Sequence, residues 1–263
     1  MAAFDHQGLD LGDPESIRRL VRELRPGLIV NAAAYTAVDR AEGEPDLAFA
    51  VNATAPGVLA EEARRLDALL VHYSTDYVFD GTKAGPYTED DVTNPLGVYG
   101  RSKLSGEQAI QASGCRHLIL RTSWVYASRG RNFLLTMLKL GAERPEPRVV
   151  DDQYGAPTWA RDIADATGQL LADPPEGLFH LTAAASTTWY GFACEIMRLA
   201  GLKPILHAIR TAEYPVAARR PANSRLDTAR LRSASGIAMP AWDESLGACM
   251  AELASAGATP PSG

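Results

Sequence analysis

The sequence predicts an α/β fold in which a parallel sheet is covered by helices and joined to a smaller C-terminal lobe. Short apolar runs alternate with helical stretches of about ten residues or more, a pattern typical of βαβ units. The runs are continuous and rich in β-branched residues, as expected for strands buried on both faces. A length of 263 residues with 46% apolar residues is sufficient for one large domain with an attached lobe.

The predicted elements follow one another regularly through the first half of the chain. Asp13 is a helix N-cap candidate, Pro14 suits the first helical position, and this helix ends before Pro26. Strands are predicted at residues 28–30, 69–73 and 117–121, with one helix from roughly 45 to 66 and another that carries Tyr99. Because parallel sheets bind ligands beyond the carboxyl ends of their strands, the site is expected at residues 31–36, 74–76 and 122–124.

The texture of the chain changes after about residue 130, where prolines become frequent and the elements shorten. We therefore predict a first unit at residues 1–145 and a second at 146–263 that is mainly a substrate-capping lobe, interleaved with the last strands. Two polar, turn-rich stretches, residues 151–158 and 218–226, either line a ligand or are ordinary loops. The end, residues 254–263, is expected to fray.

Composition argues against several classes of function. A net charge of −6 and a pI of about 5.4 leave no basic surface for nucleic acid or for an anionic membrane. No apolar run approaches the roughly 18 residues that span a bilayer. The cysteines Cys115, Cys194 and Cys249 are far apart and lack histidines at ligand spacing, so we expect reduced thiols in a cytoplasmic protein and no metal site.

Tyr99 and Lys103 form the most informative local pair. A spacing of four residues places them on one face of a helix. A cation beside a phenol is expected to lower the tyrosine pKa towards neutrality, which suits a proton donor to a carbonyl oxygen. Taken alone, however, the spacing favours an ordinary exposed pair, because it often occurs by chance.

Motifs along nearly the whole chain strengthen this interpretation. They are residues 31–42 (NAAAYTAVDRAE), 72–79 (HYSTDYVF), 94–103 (NPLGVYGRSK), 121–126 (RTSWVY), 152–158 (DQYGAPT) and 219–226 (RRPANSRL). In this order they resemble the dTDP-4-dehydrorhamnose reductase family of the extended short-chain dehydrogenase/reductases. The resemblance implies a Rossmann-like, doubly wound parallel sheet, incomplete at its N-terminus, with a smaller C-terminal substrate-binding lobe.

The resemblance implies a catalytic role for three residues. Thr75 is similar to the family's hydroxyl that hydrogen-bonds and polarises the substrate carbonyl. Tyr99 resembles the acid that protonates the same oxygen. Lys103 would lower the Tyr99 pKa and hydrogen-bond the nicotinamide ribose, so that the three side chains stabilise the charge that develops on oxygen.

The resemblance also implies a substrate site. Asp76 and Trp124 would face the sugar, although Trp124 could instead be a core residue. Residues Arg219, Arg220 and Asn223 would serve the nucleotide diphosphate, since guanidinium groups match phosphate oxygens; a solvated arginine pair is the alternative. The loop with Tyr154, Ala156 and Pro157 resembles one that shapes the sugar pocket in the family.

The implied cofactor is NADPH or NADH. Asp5 matches the place of the acid that binds the adenosine ribose, and Asp10 and Leu11 match the loop beside the adenine. The remaining cofactor contacts are implied for Ala33, Ala34, Tyr35, Thr36 and Tyr73, together with Tyr99 and Lys103.

The implied reaction is reduction of the C4 keto group of dTDP-4-dehydro-L-rhamnose to dTDP-L-rhamnose, with the dTDP-sugar as partner and a homodimer as an open possibility. Two alternatives remain at this point. One is a non-catalytic binding module similar to the regulatory subunit of methionine adenosyltransferase. The other is a related reductase or epimerase that acts on another nucleotide sugar.

The N-terminus departs from the family pattern. The family opens with a strand, a G-x-x-G-x-x-G turn and a helix that receives the pyrophosphate, and Gly8 and Gly12 do not form this motif. A sheet without that strand is expected to expose an apolar flank, and such a chain is expected to bind dinucleotide poorly. An internal start methionine, truncation and loss of cofactor binding are the three explanations. The presence of Thr75, Tyr99 and Lys103 favours the first two.

Overall fold

The computed structural model describes residues 2–255. Residues 256–263 of the predicted frayed end therefore lie outside the described part. The two preceding residues, Ala254 and Ser255, belong to the last turn of a helix.

Strands in the described part are β1 (Leu28–Asn31), β2 (Leu69–Thr75), β3 (His117–Thr122), β4 (Val125–Tyr126), β5 (Arg148–Val150), β6 (Tyr154–Gly155), β7 (Thr158–Trp159), β8 (Gly177–His180), β9 (Thr187–Thr188) and β10 (His207–Ile209). The α-helices are α1 (Pro14–Leu24), α2 (Val38–Ala41), α3 (Pro45–Phe49), α4 (Ala55–Leu66), α5 (Val98–Ser113), α6 (Phe133–Glu143), α7 (Ala160–Leu170), α8 (Trp189–Ala200), α9 (Ala229–Ser235) and α10 (Trp242–Ser255). Short 3₁₀ turns lie at Asp76–Val78 and Thr211–Glu213.

The main sheet has the strand order β1-β2-β3-β8, and every neighbouring pair is parallel. The predicted α/β class with a parallel sheet is therefore confirmed. Within residues 2–255, β1 pairs only with β2, and its side chains Leu28 and Val30 are 40% and 46% exposed. The apolar flank expected from the N-terminal departure is thus present at this edge.

Two apolar clusters cover the sheet, and a third holds the C-terminal lobe together. Helices α1 and α4 pack on one face through residues that include Ile17, Leu59 and Ile119. Helix α7 packs on the other face with Leu118 and Phe179. In the lobe, α6, α8 and α10 share a core with the small paired strands β4 and β7. The lobe thereby stands beside the carboxyl ends of the main strands.

The helix predicted from residue 45 to 66 is interrupted. A π-helical turn at Ala50–Thr54 separates α3 from α4. Within it the Asn52 side chain is buried and makes three hydrogen bonds to Tyr35 and Ser102. Periodicity alone did not predict this turn, because π-bulges arise from tertiary contacts such as these.

One ion pair is buried between the sheet and helix α5. Arg121 of β3 is bidentate to Glu107 of α5, with Nε–Oε1 and Nη2–Oε2 distances of 2.9 and 2.6 Å. Both side chains are almost fully buried. No helix in the described part of the chain is long and apolar enough to cross a membrane.

Candidate active site

Helix α5 and the end of β2 meet at the predicted site. Gly100 of α5 allows this approach, because a Cβ there would overlap the Tyr77 carbonyl oxygen and lie 2.9 Å from Pro95. One and a half turns later, a Cβ on Gly106 would overlap the Asn52 carbonyl oxygen. Both glycines let the helix pack directly against backbone, which brings Tyr99 next to the residues that follow β2.

Thr75 is the last residue of β2 and begins the 3₁₀ turn. Its hydroxyl accepts a hydrogen bond from the Tyr77 backbone N–H at 3.1 Å and donates to Asp76 Oδ1 at 3.0 Å. Asp76 is itself buried, and burial raises its pKa to about 7. The structure thus places Thr75 and Asp76 together at the carboxyl end of the strand.

Tyr99 is half-buried with its phenol beside Thr75, and its ring packs edge-on against Tyr77 with centroids 5.8 Å apart. Burial raises the pKa of Tyr99 to about 12, the hydrogen bond with Thr75 lowers it, and the Asp76 charge adds to the rise. The prediction that Lys103 lowers this pKa towards neutrality is therefore wrong for this geometry. Lys103 makes its hydrogen bonds to other partners, and desolvation of the phenolate dominates.

Lys103 lies one turn along α5 and is 2% exposed. Its Nζ donates to the Tyr73 carbonyl oxygen at 2.6 Å and lies 3.2 Å from His72 Nε2. Burial lowers the pKa of Lys103 to about 8, although the Glu107 charge opposes this. One ammonium donor is therefore used by the Tyr73 carbonyl oxygen, His72 Nε2 stands opposite a second, and one is left for a ligand.

Two residues of this site were not predicted from the sequence as functional. His72 lies under Lys103, and Asn52 ties the segment after β1 to α5 by accepting from Tyr35 N and donating to Ser102 Oγ at 2.8 and 3.1 Å. His72 could have been noticed as a histidine inside an otherwise apolar strand. Asn52 offered no comparable signal, because its position depends on the π-helical turn.

Trp124 has an unusual backbone, with a φ of 47° that non-glycine residues rarely adopt. Its indole is held between Gly155, where any Cβ would overlap the ring, and Trp189, which stacks on it. The Trp189 Nε1 donates to Gln153 at 3.1 Å. Trp124 is partly exposed, so a ligand can reach it.

The predicted diphosphate residues differ in their surroundings. Arg219 is exposed, whereas Arg220 pairs with Asp39, with an Nη2–Oδ2 distance of 2.7 Å. The Asn223 amide donates to the backbone oxygens of Lys83 and Gly85 and accepts from Arg225. Arg219 therefore takes no part in these contacts, while Asn223 links two loops by hydrogen bonds.

The loop at Tyr154 joins the same region. Tyr154 is 47% exposed, and its backbone pairs with Ala222 and Ser224. The carbonyl oxygen of Ala156 accepts from Ser123 at 2.8 Å. Ala156 and the following Pro157 are buried.

The predicted cofactor residues lie in two places. Ala33 and Thr36 are exposed after β1, Ala34 and Tyr35 are half-buried, and the Tyr35 phenol donates to Glu44 at 2.5 Å. The Tyr73 phenol turns to Thr167 of α7 at 2.9 Å, so at the site Tyr73 contributes its carbonyl oxygen.

The cofactor candidates near the N-terminus lie before helix α1, in turns or against its apolar cluster. Asp5 and Asp10 are exposed and accept hydrogen bonds from nearby backbone N–H groups in turns, and Leu11 packs on the cluster under α1.

The residues present fit the nicotinamide-ribose half of a dinucleotide. Lys103 keeps a free donor at the carboxyl end of β2, and the small exposed side chains after β1 permit close approach of a ligand to the backbone. Among residues 2–255, no glycine-rich turn stands between a strand and a helix in the manner of a pyrophosphate cradle. No group of three or more His, Cys, Asp or Glu in the same part of the chain could hold a metal ion.

The chain is similar to known proteins over most of its length. The family model described as RmlD substrate binding domain matches residues 1–255. The dTDP-4-dehydrorhamnose reductase of Burkholderia thailandensis is 48% identical, with 94% of this chain and 88% of the relative covered. The Escherichia coli K12 protein of the same name is 46% identical, with 93% and 85% covered.

A solved structure shares the fold of this chain. The crystal structure of dTDP-4-dehydrorhamnose reductase from Bacillus anthracis in complex with NADP superposes with a TM-score of 0.92 at 37% identity. The match covers 95% of this chain and 89% of that one.

Proposed function

This chain belongs to the RmlD substrate binding domain family, whose relatives above are dTDP-4-dehydrorhamnose reductases, and we propose that it reduces the C4 keto group of dTDP-4-dehydro-L-rhamnose to dTDP-L-rhamnose. The cofactor is NADPH or NADH, in keeping with the NADP of the Bacillus anthracis structure. The single observation that carries the proposal is the contact between the Thr75 hydroxyl and the Tyr99 phenol, with Lys103 one turn behind on α5.

Tyr99 is the proton donor in this proposal. With a pKa of about 12, the phenol keeps its proton at neutral pH and can donate it to a ketone oxygen. As negative charge grows on the C4 oxygen, the proton moves from Tyr99 Oη to that oxygen. The Thr75 hydroxyl turns its one proton from Asp76 Oδ1 to the same oxygen and holds it in place.

Lys103 holds the other reactant. Its free donor binds a nicotinamide-ribose hydroxyl, while another of its N–H groups donates to the Tyr73 carbonyl oxygen. When bound, the nicotinamide supplies hydride to the C4 carbon. Ala33 and Ala34 would let the cofactor approach the backbone at the end of β1. The Tyr73 carbonyl oxygen anchors Lys103.

The substrate lies between the sheet and the lobe. Trp124 contacts the deoxysugar through the exposed part of its indole. Asp76 accepts a hydrogen bond from Thr75 and faces the sugar beside it. Arg219 is the exposed cation for the diphosphate. Arg220, paired with Asp39, contributes less free charge, and Asn223 supports the loop that carries both arginines.

We further propose the division of labour predicted from the sequence. Residues 1–145 form the dinucleotide-binding unit, and residues 146–263 mainly bind substrate. The core of α8 and α10 supports a separate second unit, with α6 of the first unit packed against it, and the second unit's α7 and β8 are interleaved with the main sheet. The free thiols of Cys115, Cys194 and Cys249 support a cytoplasmic location.

The test combines a spectroscopic assay of cofactor oxidation with a separate binding assay, both on the purified chain. Oxidation of NADPH and of NADH is followed at 340 nm with dTDP-4-dehydro-L-rhamnose, and the product is identified by mass spectrometry. The variant Tyr99→Phe is expected to lose turnover while still binding dTDP-rhamnose in calorimetry, and Tyr77→Phe is the matched control phenol. Unchanged turnover in Tyr99→Phe contradicts the assignment. Sugar-nucleotide binding without oxidation of either cofactor by the wild type favours a binding module.

A further inference from the structure

His72 occupies an unusual position for a histidine. It lies in the middle of β2 with no exposed surface, and its register partner across the sheet is Asn31 of β1. Both ring nitrogens are engaged: Nδ1 lies 3.1 Å from Asn31 Nδ2, and Nε2 lies 3.2 Å from Lys103 Nζ. The ring therefore bridges an amide on one strand to the lysine of the candidate site.

Lys103 depends on this bridge, because it has few other partners. Within residues 2–255 no carboxylate lies at ion-pair distance from its Nζ, and the one remaining contact is the Tyr73 carbonyl oxygen. A buried ammonium requires acceptors around it, since each missing one penalises the charged form. His72 Nε2 is the second acceptor that the fold supplies.

The tautomer of His72 decides whether it can play this part. A neutral imidazole has one donor and one acceptor nitrogen. If Nδ1 carries the proton, Nε2 accepts from the Lys103 ammonium. Asn31 must then turn its amide oxygen towards Nδ1, where Nδ2 now lies, and give up the hydrogen bond from Ala33 N. If Nε2 carries the proton, it faces Lys103 donor to donor, which suits only the uncharged amine. The amide orientation of Asn31 and the charge of Lys103 are therefore coupled through one ring.

We propose that His72 is a positioning residue for the reductase reaction, which accepts a hydrogen bond from Lys103 and keeps it charged once the Asn31 amide turns its oxygen to His72 Nδ1–H. The inference rests on the proposed function for its kinetic consequences. Lys103 must be charged to keep all three of its donors, one of which binds the ribose hydroxyls. His72 itself touches neither substrate nor cofactor.

Few charged or titratable groups face the network of Asn31, His72 and Lys103. Glu107 of α5 raises the pKa of Lys103, but its carboxylate is bidentate to Arg121 of β3. Tyr73 of β2 turns its phenol to α7. Burial and the Lys103 charge lower the pKa of His72 well below its usual range, so the ring is neutral at working pH. Changes at His72 or Asn31 should consequently be felt first by Lys103.

Two substitutions at position 72 separate positioning from packing. His72→Leu fills the space but offers no acceptor, whereas His72→Gln can place its Oε1 where Nε2 lies. A hydrogen bond to a charged group corresponds to roughly one pK unit. In His72→Leu the alkaline limb of kcat/KM for NADPH is expected to move about one pH unit lower. In His72→Gln it returns close to the wild-type position. The KM for the cofactor rises in the leucine variant, while that for the dTDP-sugar stays the same.

Asn31→Asp provides a prediction of the opposite sign. One carboxylate oxygen can accept from Ala33 N, as the amide oxygen does now, and the other accepts from His72 Nδ1–H. This holds the favourable tautomer and adds a negative charge behind it. The alkaline limb is expected to move about one pH unit higher. This near-isosteric variant also carries the test if His72→Leu does not fold.

A direct titration makes the inference independent of catalysis. The chain has four lysines, Lys83, Lys103, Lys139 and Lys203, so a protein labelled at lysine gives few signals. The Lys103 signal, assigned with Lys103→Met, is followed by NMR against pH in the wild type, His72→Leu, His72→Gln and Asn31→Asp.

A Lys103 midpoint that falls in His72→Leu, recovers in His72→Gln and rises in Asn31→Asp supports the proposal. An unmoved midpoint in folded His72→Leu and Asn31→Asp overturns it, even if turnover drops. A wild type without turnover refutes the proposed function alone, because the Lys103 titration needs neither substrate nor cofactor.

Discussion

The indole rings of Trp124 and Trp189 stack face to face, with centroids 3.6 Å apart and planes 4° from parallel. Trp189 is held in turn by its hydrogen bond to Gln153 and by contact with Phe133. The residue proposed to meet the sugar is therefore fixed by a second tryptophan in the lobe. A backbone φ of 47° at Trp124 makes such support necessary, because that conformation is strained for a large side chain.

We predict that Trp189→Leu weakens substrate binding. An aromatic pair contributes about 0.5–1.5 kcal/mol beyond its buried area, so the KM for the dTDP-sugar should rise roughly two- to tenfold. The KM for the cofactor should not change. Trp242→Leu is the control, since Trp242 packs edge-on against Phe192 in the same cluster without touching Trp124. Equal rises in both variants would show that the stacking is unimportant for binding.

Gly100→Ala is predicted to damage both stability and activity. The new methyl group would overlap the Tyr77 carbonyl oxygen, which is backbone and cannot move aside. Overpacking of this kind costs about 1–3 kcal/mol, and any shift of α5 also displaces Tyr99 and Lys103. Thermal unfolding and steady-state kinetics measure the two effects.

Gly168→Ala is the matched control for that substitution. Gly168 lies within α7, where an added Cβ meets nothing within 4 Å. Alanine there should stabilise the helix by about 0.5–1 kcal/mol and leave turnover unchanged. A stable, fully active Gly100→Ala protein would contradict the packing of α5 against the turn after β2.

The buried pair between Arg121 and Glu107 gives a stability prediction. Glu107→Gln leaves the Arg121 guanidinium almost fully buried without a counter-charge, and such losses cost about 3–5 kcal/mol. Glu176→Gln removes the partner of Arg116 at the surface, where both side chains are about half exposed, and should cost less than about 1 kcal/mol. Urea denaturation distinguishes the two. Similar losses in both variants would refute the difference in burial as the cause.

Asp76 gives a prediction of pH-dependent stability. Its pKa is raised in the folded protein to about 7 from an ordinary value of 3.8, because the carboxyl group is buried. Between these two values the folded state holds a proton that the unfolded state releases, so the free energy of unfolding falls as pH rises from about 4 to about 7.

Asp76→Asn removes this titration. The wild type should lose stability relative to Asp76→Asn over that interval by a few kcal/mol, at about 1.4 kcal/mol for each pK unit, and the difference should level off above it. Denaturation of both proteins at several pH values measures the effect. Parallel stability curves would mean that Asp76 is already ionised in the folded protein at low pH.

The sequence by itself determined the order of the first three main-sheet strands, β1, β2 and β3, and with it the end of the sheet where a site must lie. Parallel strands with continuous apolar runs leave their first polar residues at the carboxyl edge, which is how Thr75 was found. The spacing of Tyr99 and Lys103 placed both on one face of α5. The motif order identified the family. These features are local or periodic, so they can be read from a single chain.

Only the tertiary structure decided how these residues are surrounded. The rise in the Tyr99 pKa, opposite to the prediction, comes from burial, which no local pattern contains. The bridge from Asn31 through His72 to Lys103 depends on strand register and helix placement. Burial and partner choice arise from contacts between segments far apart in the chain, and they set protonation, tautomer and reach. For this reason, sequence named the groups at the site, and the fold determined their state.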